Sequence, residues 1–533
     1  MSEQEQVTDV LVVGFGAAGA CAAVEAADAG ADVLVLDRFS GGGATALSGG
    51  IVYAGGGTPY QEVAGVTDTV DAMVDYLKLE VGDAVSEDTL RRFCAGSRDM
   101  IGWLAGLGVP FEGSLCPYKT SYPSDKHYLY YSGSEAAGGF RDAAVPAPRG
   151  HRVKGPGTSG KVLFAKLAAA VRGRGVRVLP QTRVTELVTD PAGRVTGVRA
   201  RTLAGAPALA RARHRLLSRY AAKPGIYLPK LRAALDRRAS RIEAGHAREI
   251  SITARHGVVL AAGGFVLNRT MLREHAPAYR GGLPLGTVGD DGSGITLGVE
   301  RGAATRYLDH VSAWRFITPP TAFGKSLLVD TAGARVCDES RYGAALGHAL
   351  ITEHGGRGWL LVDAKLVREA RSQLGVQTLW FQRMQAEYLL RKAIRADSID
   401  ELAKRAGIDA EGLIASVVAH NAAAAAGTAD PTGKPAEFVT AIDEGPYALL
   451  DVSIRPSIAN PCPMLTLGGL VVDERTGAVL TGEHTPIPGL YAAGRTAAGL
   501  CANSYVSGLS LADCVFSGRR AGSAAAKPVE VIG

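Results

Sequence analysis

No CxxC pair occurs in this sequence, and its cysteines are odd in number: Cys21, Cys94, Cys116, Cys337, Cys462, Cys501 and Cys514. That scatter excludes a complete disulfide framework and a cysteine-bound zinc site, so no metal site is expected and the thiols read as free in a reducing compartment. No uninterrupted apolar run reaches the ~18 residues of a spanning helix. Residues 1–6 are polar, which excludes a secretory signal in that stretch. A soluble, cytoplasmic protein is the expectation. What the chain does have is length, 533 residues, with 47% hydrophobic content and 68 glycines. That combination argues against disorder and for a large α/β enzyme of two domains or more.

The most informative stretch is VTDVLVVGFGAAGACAAVEAADAGADVLVLDR, residues 7–38. Val10-Leu-Val-Val13 is a short apolar run suited to one buried parallel strand. Gly14, Gly16 and Gly19 follow as GxGxxG. The first permits the tight turn, the second lets a pyrophosphate approach the backbone, and the third lets the next helix pack close on the strand. An alanine-rich helix from Ala17 to Ala29 stops at Gly30, and its N-terminal amides face the phosphates. A second strand, Val33-Leu-Val-Leu36, delivers Asp37, placed to bind ribose hydroxyls, followed by Arg38. The pattern alone fits NAD or FAD.

Residues 40–50, SGGGATALSGG, place a second glycine- and hydroxyl-rich loop after the ribose acid, which suits the longer cofactor. This stretch resembles the GG-x-S/T-x-x-SGG segment of the FAD-dependent fumarate reductase, succinate dehydrogenase and 3-ketosteroid dehydrogenase superfamily. The resemblance implies flavin contacts at Thr45, Ala46, Ser48, Gly49 and Gly50, besides Ala17 and Ala18. Some members attach FAD through a histidine in this region. Residues 37–50 contain none, so non-covalent FAD is expected.

Further blocks carry the same resemblance in order. The strand ending near Val184 matches a backbone contact to adenine. HGVVLAAGGF, 256–265, resembles the strand beside the flavin, with Ala262 and Gly263 as contacts. GDDGSGITLGVERGA, 289–303, resembles the helix entry that brings Gly292, Ser293 and Gly294 near cofactor and pocket. VDTAGARVCDESRYG, 329–343, resembles a motif on the active-site face of the second domain. LTLGGLVVDERTGAVL (465–480) and IPGLYAAGRTAAGL (487–500) close the flavin domain, with Gly494 and Arg495 as contacts. NSYVSGLSLADCVFSGRRAG, 503–522, reads as a flavin-covering loop and last helix opened by Ser510, whose amides, with those of Leu511, stabilise reduced flavin. The expected fold is therefore α/β: a Rossmann-like FAD-binding domain over 1–303 and 451–533, with an inserted α+β substrate, or capping, domain over 304–450.

Two stretches stay open on the residues alone. Residues 116–133 hold five tyrosines, as a surface loop packing them on a core or as an apolar pocket wall with polar tips. The ketosteroid dehydrogenase resemblance favours Tyr118 or Tyr122 as substrate contacts. Residues 209–255, within an insertion at 204–250 that the resemblance does not cover, hold twelve Lys/Arg and three Asp/Glu, a net of +9. They read as a basic helical hairpin, either with a solvated charged face or docking a membrane surface or partner. Nothing else in the chain supports nucleic-acid binding.

The chemistry divides at two positions. Fumarate-type members hold a dicarboxylate with a histidine and an arginine where this chain has Leu465 and Ser504. An apolar residue and a hydroxyl cannot clamp a dianion. Tyr505-Val506-Ser507-Gly508 instead resembles the Y-x-S-G loop of the 3-ketosteroid Δ4-(5α)-dehydrogenases, and Tyr342, after Asp338-Glu339, matches their second tyrosine. That implies a 3-ketosteroid whose C4 proton is removed while hydride leaves C5 for the flavin. Tyr505 is expected as the acid/base oxygen with Ser507 as its hydrogen-bond partner, and Tyr342 or an amide near Gly508 on the C3 oxygen. The expected partners are a steroid-like polycyclic ketone and an unidentified electron acceptor. The rival readings are a Δ1-dehydrogenase or a flavin enzyme of another enone, and a non-catalytic flavoprotein serving binding or electron transfer.

Overall fold

In the computed structural model, residues 6–279 and 281–528 are described; residues 1–5 of the polar start lie outside them. The strand Gln6–Val13 runs at the centre of an eight-stranded sheet. It pairs in parallel with Val33–Asp37 on one side and Arg248–Leu260 on the other, with Val10 opposite Val33 and Gly257. Arg177–Pro180 and Pro486–Ala492 extend the parallel ladder outward. Val10, Leu11, Val12, Val35 and Val259 are fully buried, as expected of β-branched and leucine side chains covered on both faces.

Helix α1, Ala17–Asp28, crosses this sheet directly after the glycine turn. Its small side chains let other backbone come close. Helix α2, Ala208–Ala222, and α3, Pro229–His246, form the basic hairpin, and they interrupt an antiparallel pair, Val195–Thr202 with Arg248–Leu260. Helix α4, Trp380–Lys392, belongs to the second layered region. Helix α5, Leu509–Ala525, lies along α1, and a Cβ on its Gly522 would come within 2.2 Å of the Ala22 carbonyl oxygen. Only glycine permits that approach.

The hairpin is not simply a solvated charged element. Two of its three acids turn inward: Glu243 takes both Arg38 Nε at 3.1 Å and His214 Nε2 at 2.9 Å, and Asp236 lies 3.8 Å from Arg38. Arg232 Nη1 donates to the Pro284 carbonyl at 3.2 Å. The acids are used against the body, so the outward face is more basic than the sequence count implies.

A four-stranded antiparallel sheet, in the order Leu327–Val329, Trp359–Val362, Tyr447–Asp451, Ile394–Ala396, has its own buried core with helices packed on it. The stretch from Ser86 to Gly108 forms two helices, Glu87–Ala95 and Ser97–Gly106, broken at Gly96. The loop 428–436 is tied into a buried charge network. Arg335 lies 2.7 Å from Glu339 and 2.6 Å from Asp430, Lys434 is 2.8 Å from Glu339, and His420 is 3.1 Å from Asp430.

That network has a pH signature. Burial pushes the Asp430 carboxyl up, but the His420 hydrogen bond and the Arg335 charge outweigh it and hold it well below the usual range. A depressed folded pKa stabilises above the unfolded value of ~3.9 and is lost as pH falls below it. Asp430→Asn is expected to cost about 3–5 kcal/mol at neutral pH, the scale for breaking a buried pair. The difference from parent should shrink in acid. Denaturant unfolding at several pH values checks this; a gap that widens toward acid contradicts it.

Candidate active site

One cavity of about 1980 Å³ runs from the glycine turn to the second region, larger than the few hundred to ~1,000 Å³ of an ordinary ligand pocket. At one end its wall includes Gly14, Gly16, Ala17, Ala18, Asp37, Arg38, Thr45, Ala46, Ser48, Gly49, Gly50, Val184, Ala262 and Gly263. Gly494, Arg495, Ser510 and Leu511 follow along it.

The local order has clear causes. Asp37 Oδ2 accepts from Phe15 N at 3.0 Å, and Oδ1 from Phe39 N at 2.8 Å and Gly41 N at 3.0 Å. The carboxylate thus ties the glycine turn to the loop after the strand, and retains acceptor capacity for a ribose. Thr45 Oγ1 accepts from Ala17 N at 3.0 Å, at the start of α1. Ser48 Oγ accepts from Gly50 N and donates to Thr45 O. The Tyr122 hydroxyl lies 2.8 Å from Gly49 O and 2.9 Å from Gly157 O, two acceptors for its single proton.

Three residues tied to cofactor or substrate lie off the wall, and one helix start shifts. Gly19 is off the cavity wall, in the packing role its spacing gave it: a Cβ there would meet Gly14 O at 1.9 Å. Gly292 is also off the wall and turns the chain at φ +80°, with Met271 and Phe265 behind it, while Ser293 reaches the cavity. Tyr118 packs against Ile51, Cys116 and Tyr130, away from the wall; only Tyr122 lines it. Ser510 is the second residue of α5: the helix opens at Leu509 after Gly508 at φ +92°.

The residues present fit FAD. Arg495 Nη2 is held by Asp290 at 2.5 Å, while its buried Nη1 has no partner among the described residues. The first-turn amides of Ser510 and Leu511 have no acceptor among the described residues, the state in which a helix N-terminus receives an anionic group. A Cβ on Gly16 would meet nothing nearer than Thr45 Oγ1 at 3.6 Å, leaving it on the cavity side.

At the other end stand Tyr505, Ser507, Gly508 and Tyr342, with Trp314, Phe316 and Leu465 around them. Tyr505 lies 4.7 Å from Trp314 and 6.3 Å from Tyr342 between ring centroids. Ser507 Oγ is 3.1 Å from the Tyr130 hydroxyl, and Ser132 Oγ donates to Ser507 O at 3.0 Å. No hydrogen bond joins Tyr505 to Ser507. The expected partnership of these two is therefore replaced by Ser507 with Tyr130. The loop is anchored from behind: Ser504 Oγ donates to Glu80 Oε2 at 2.9 Å, and Asn503 Nδ2 to Glu80 O at 3.0 Å. Ser504 is thus a fastening, and Leu465, nearly buried, is an apolar wall.

Burial raises all three phenols. Tyr505 is pushed far above its ordinary value by burial first and Cys501 and Tyr130 next; Tyr130 and Tyr342 also stand well above theirs, Ser507 opposing the rise in both. Three phenols are therefore held as proton donors at neutral pH. Tyr130 was missed as a site residue because five tyrosines in one stretch carry no mark of which one reaches the loop at 505–508. Trp314 and Phe316 were missed because nothing in their sequence setting separates a pocket wall from core.

A family model described as FAD binding domain matches residues 9–510. Among curated proteins, the chain is 41% identical to 3-oxo-5-alpha-steroid 4-dehydrogenase from Comamonas testosteroni, over 91% of this chain and 92% of that one. It is 26% identical to 3-oxosteroid 1-dehydrogenase from Mycolicibacterium smegmatis, over 94% of each. Among solved structures, the 3-ketosteroid-delta4-(5alpha)-dehydrogenase of Rhodococcus jostii RHA1, in complex with 4-androstene-3,17-dione, superposes with a TM-score of 0.80 at 33% identity, covering 99% of this chain and 98% of that one.

Proposed function

The chain belongs to the FAD-binding-domain family of flavoproteins, and on that premise we propose that it dehydrogenates a 3-ketosteroid between C4 and C5. FAD, when bound, supplies the hydride acceptor. The observation that carries the reading is the convergence of Tyr505, Tyr342 and Ser507 on one aromatic-walled cavity, with Tyr130 hydrogen-bonded behind Ser507, beside Leu465 rather than a carboxylate clamp. Similarity to a 3-oxo-5-alpha-steroid 4-dehydrogenase along nearly the whole chain supports it. We further assign 1–303 and 451–533 to cofactor binding and 304–450 to the substrate domain.

The residues divide the work as follows. The C3 ketone accepts a hydrogen bond from a protonated phenol, Tyr505 or Tyr342, where enolate charge develops. The C4–H bond breaks as Ser507 Oγ takes its proton and passes its own to the Tyr130 oxygen, which has first released its phenolic proton to solvent. Trp314, Phe316 and Leu465 exclude water and seat the fused rings. Gly508, in the left-handed conformation, ends the loop and starts α5. The electrons leave to an acceptor outside the chain, and the outward cations of the hairpin, 209–255, suit contact with an anionic membrane surface.

Anaerobic titration of the purified protein tests the reading. A saturated 5α-3-ketosteroid should bleach the flavin, and the product should carry a C4–C5 double bond. Acid precipitation should release the FAD into the supernatant, since 37–50 has no histidine. A C1–C2 product would favour the Δ1 reading. No bleaching by any 3-ketosteroid would favour a non-catalytic flavoprotein.

A further inference from the structure

Residues of the hairpin and of α4 both line the cavity, and the outer face of α4 is covered by no other element among the described residues. Its buried residues, Gln382, Ala386, Leu389 and Leu390, hold the helix on the body, with Gln382 Nε2 donating to Tyr122 O at 3.1 Å. The opposite face is Trp380, Arg383, Met384, Glu387, Tyr388 and Arg391, spaced for one side of a helix. All six line the cavity mouth. Trp380 is 74% exposed and Met384 63%, and across the opening Ile458 is 69% exposed. Such side chains bring apolar area into water with no gain to the fold.

The charges around them are equally unpartnered. Arg383 and Arg391 on α4, and Arg215, Arg219 and Lys223 on the hairpin side, make no ion pair among the described residues. Glu387 is the single acid on the outer face of α4. The hairpin tip adds exposed Tyr227, Leu228 and Leu231. No helix among the described residues is long and apolar enough to cross a membrane.

From this we propose that α4, with the hairpin tip opposite it, docks the cavity mouth on an anionic phospholipid bilayer, so that the steroid enters from the membrane. Tryptophan and tyrosine suit the headgroup boundary, methionine and isoleucine the acyl side, and unpaired cations the anionic headgroups. A soluble partner would not need apolar side chains to ring the entrance of an apolar substrate. The inference rests on the steroid reading and goes beyond the hairpin's charge: it makes α4 the inserted element.

Flotation of the holoenzyme with phosphatidylglycerol-containing and pure phosphatidylcholine vesicles tests it, together with tryptophan quenching by brominated lipid. The protein should float with anionic vesicles at low salt, and about tenfold less with neutral vesicles or at high salt. Arg383→Glu with Arg391→Glu should reduce flotation about tenfold. Brominated lipid should quench the parent, and Trp380→Phe should lose that quenching while keeping its flavin absorbance. A parent that stays off anionic vesicles, leaving the face to a protein partner, overturns the proposal. So does flotation unchanged by the charge reversals, or quenching unchanged in Trp380→Phe. None of these readouts needs turnover. A protein that binds vesicles but is not bleached by steroid contradicts the catalytic reading, whereas one that is bleached yet stays off vesicles contradicts this one.

Discussion

Ser507→Ala is expected to lower kcat by about 10²–10⁴-fold, the usual cost of losing a positioned proton-transfer group. Tyr130→Phe should cost a similar amount, because the Tyr130 hydroxyl, 3.1 Å from Ser507 Oγ, is the partner that shares the proton. Groups that act as one unit are strongly non-additive. The Ser507→Ala/Tyr130→Phe double variant should therefore be little worse than the poorer single. Tyr505→Phe removes a different function, a donor to the C3 oxygen, at a cost of about 10²–10³. Combined with Ser507→Ala, its loss should multiply rather than saturate. Burial keeps the Tyr505 phenol protonated beyond its ordinary pKa of ~10. A raised phenol pKa preserves the donor as pH rises, so no decline in rate from its ionisation should appear through neutral and mildly alkaline pH. Steady-state rates on a 5α-3-ketosteroid, with FAD content and flavin spectrum as controls, give the whole cycle. Saturation between Tyr505→Phe and Ser507→Ala would show that those two act together, and would return Tyr505 to the role of base.

Gly19→Ala is expected to abolish the holoenzyme. The added methyl would lie 1.9 Å from the Gly14 carbonyl oxygen and 3.2 Å from Val12 Cγ1. The nearer clash is with backbone, which cannot rotate aside as a side chain can. The strand Gln6–Val13 and α1 would have to separate, and the turn carrying Gly14 and Gly16 would move with them. The cost should exceed the usual overpacking range and reach about 4 kcal/mol or more. Gly102→Ala is the control: it lies in the helix Ser97–Gly106 with nothing within 4 Å of its Cβ position, and alanine there should stabilise by about 0.5–1 kcal/mol. Bound FAD per chain and thermal melting check both. A Gly19→Ala protein that purifies yellow and melts near the parent would contradict the packing role.

The nucleotide half of this protein is written locally. An apolar strand, three spaced glycines, a small-residue helix and a terminal carboxylate are each within a few residues of the atoms they serve, so the order along the chain is the order in space. Asp37 illustrates this: its two oxygens bind amides at 15, 39 and 41, all close in sequence or across one turn. The loss of a dicarboxylate clamp at Leu465 and Ser504 was legible for the same reason, since a charge is present or absent whatever the fold.

Only the tertiary structure decided which hydroxyls meet. Ser507 is two residues from Tyr505, yet the loop turns its side chain toward Tyr130, far off in sequence, where Ser132 and Glu80 fasten the loop. Local spacing specifies which residues share a loop, but long-range hydrogen bonds set where each side chain points. The basic hairpin followed the same rule. Its net charge was countable in the sequence, while the inward turn of Asp236 and Glu243 toward Arg38 depends on a strand end some two hundred residues away. The exposed face of α4 was likewise invisible: a helix with tryptophan and methionine at helical spacing reads as core until the rest of the chain leaves that face uncovered.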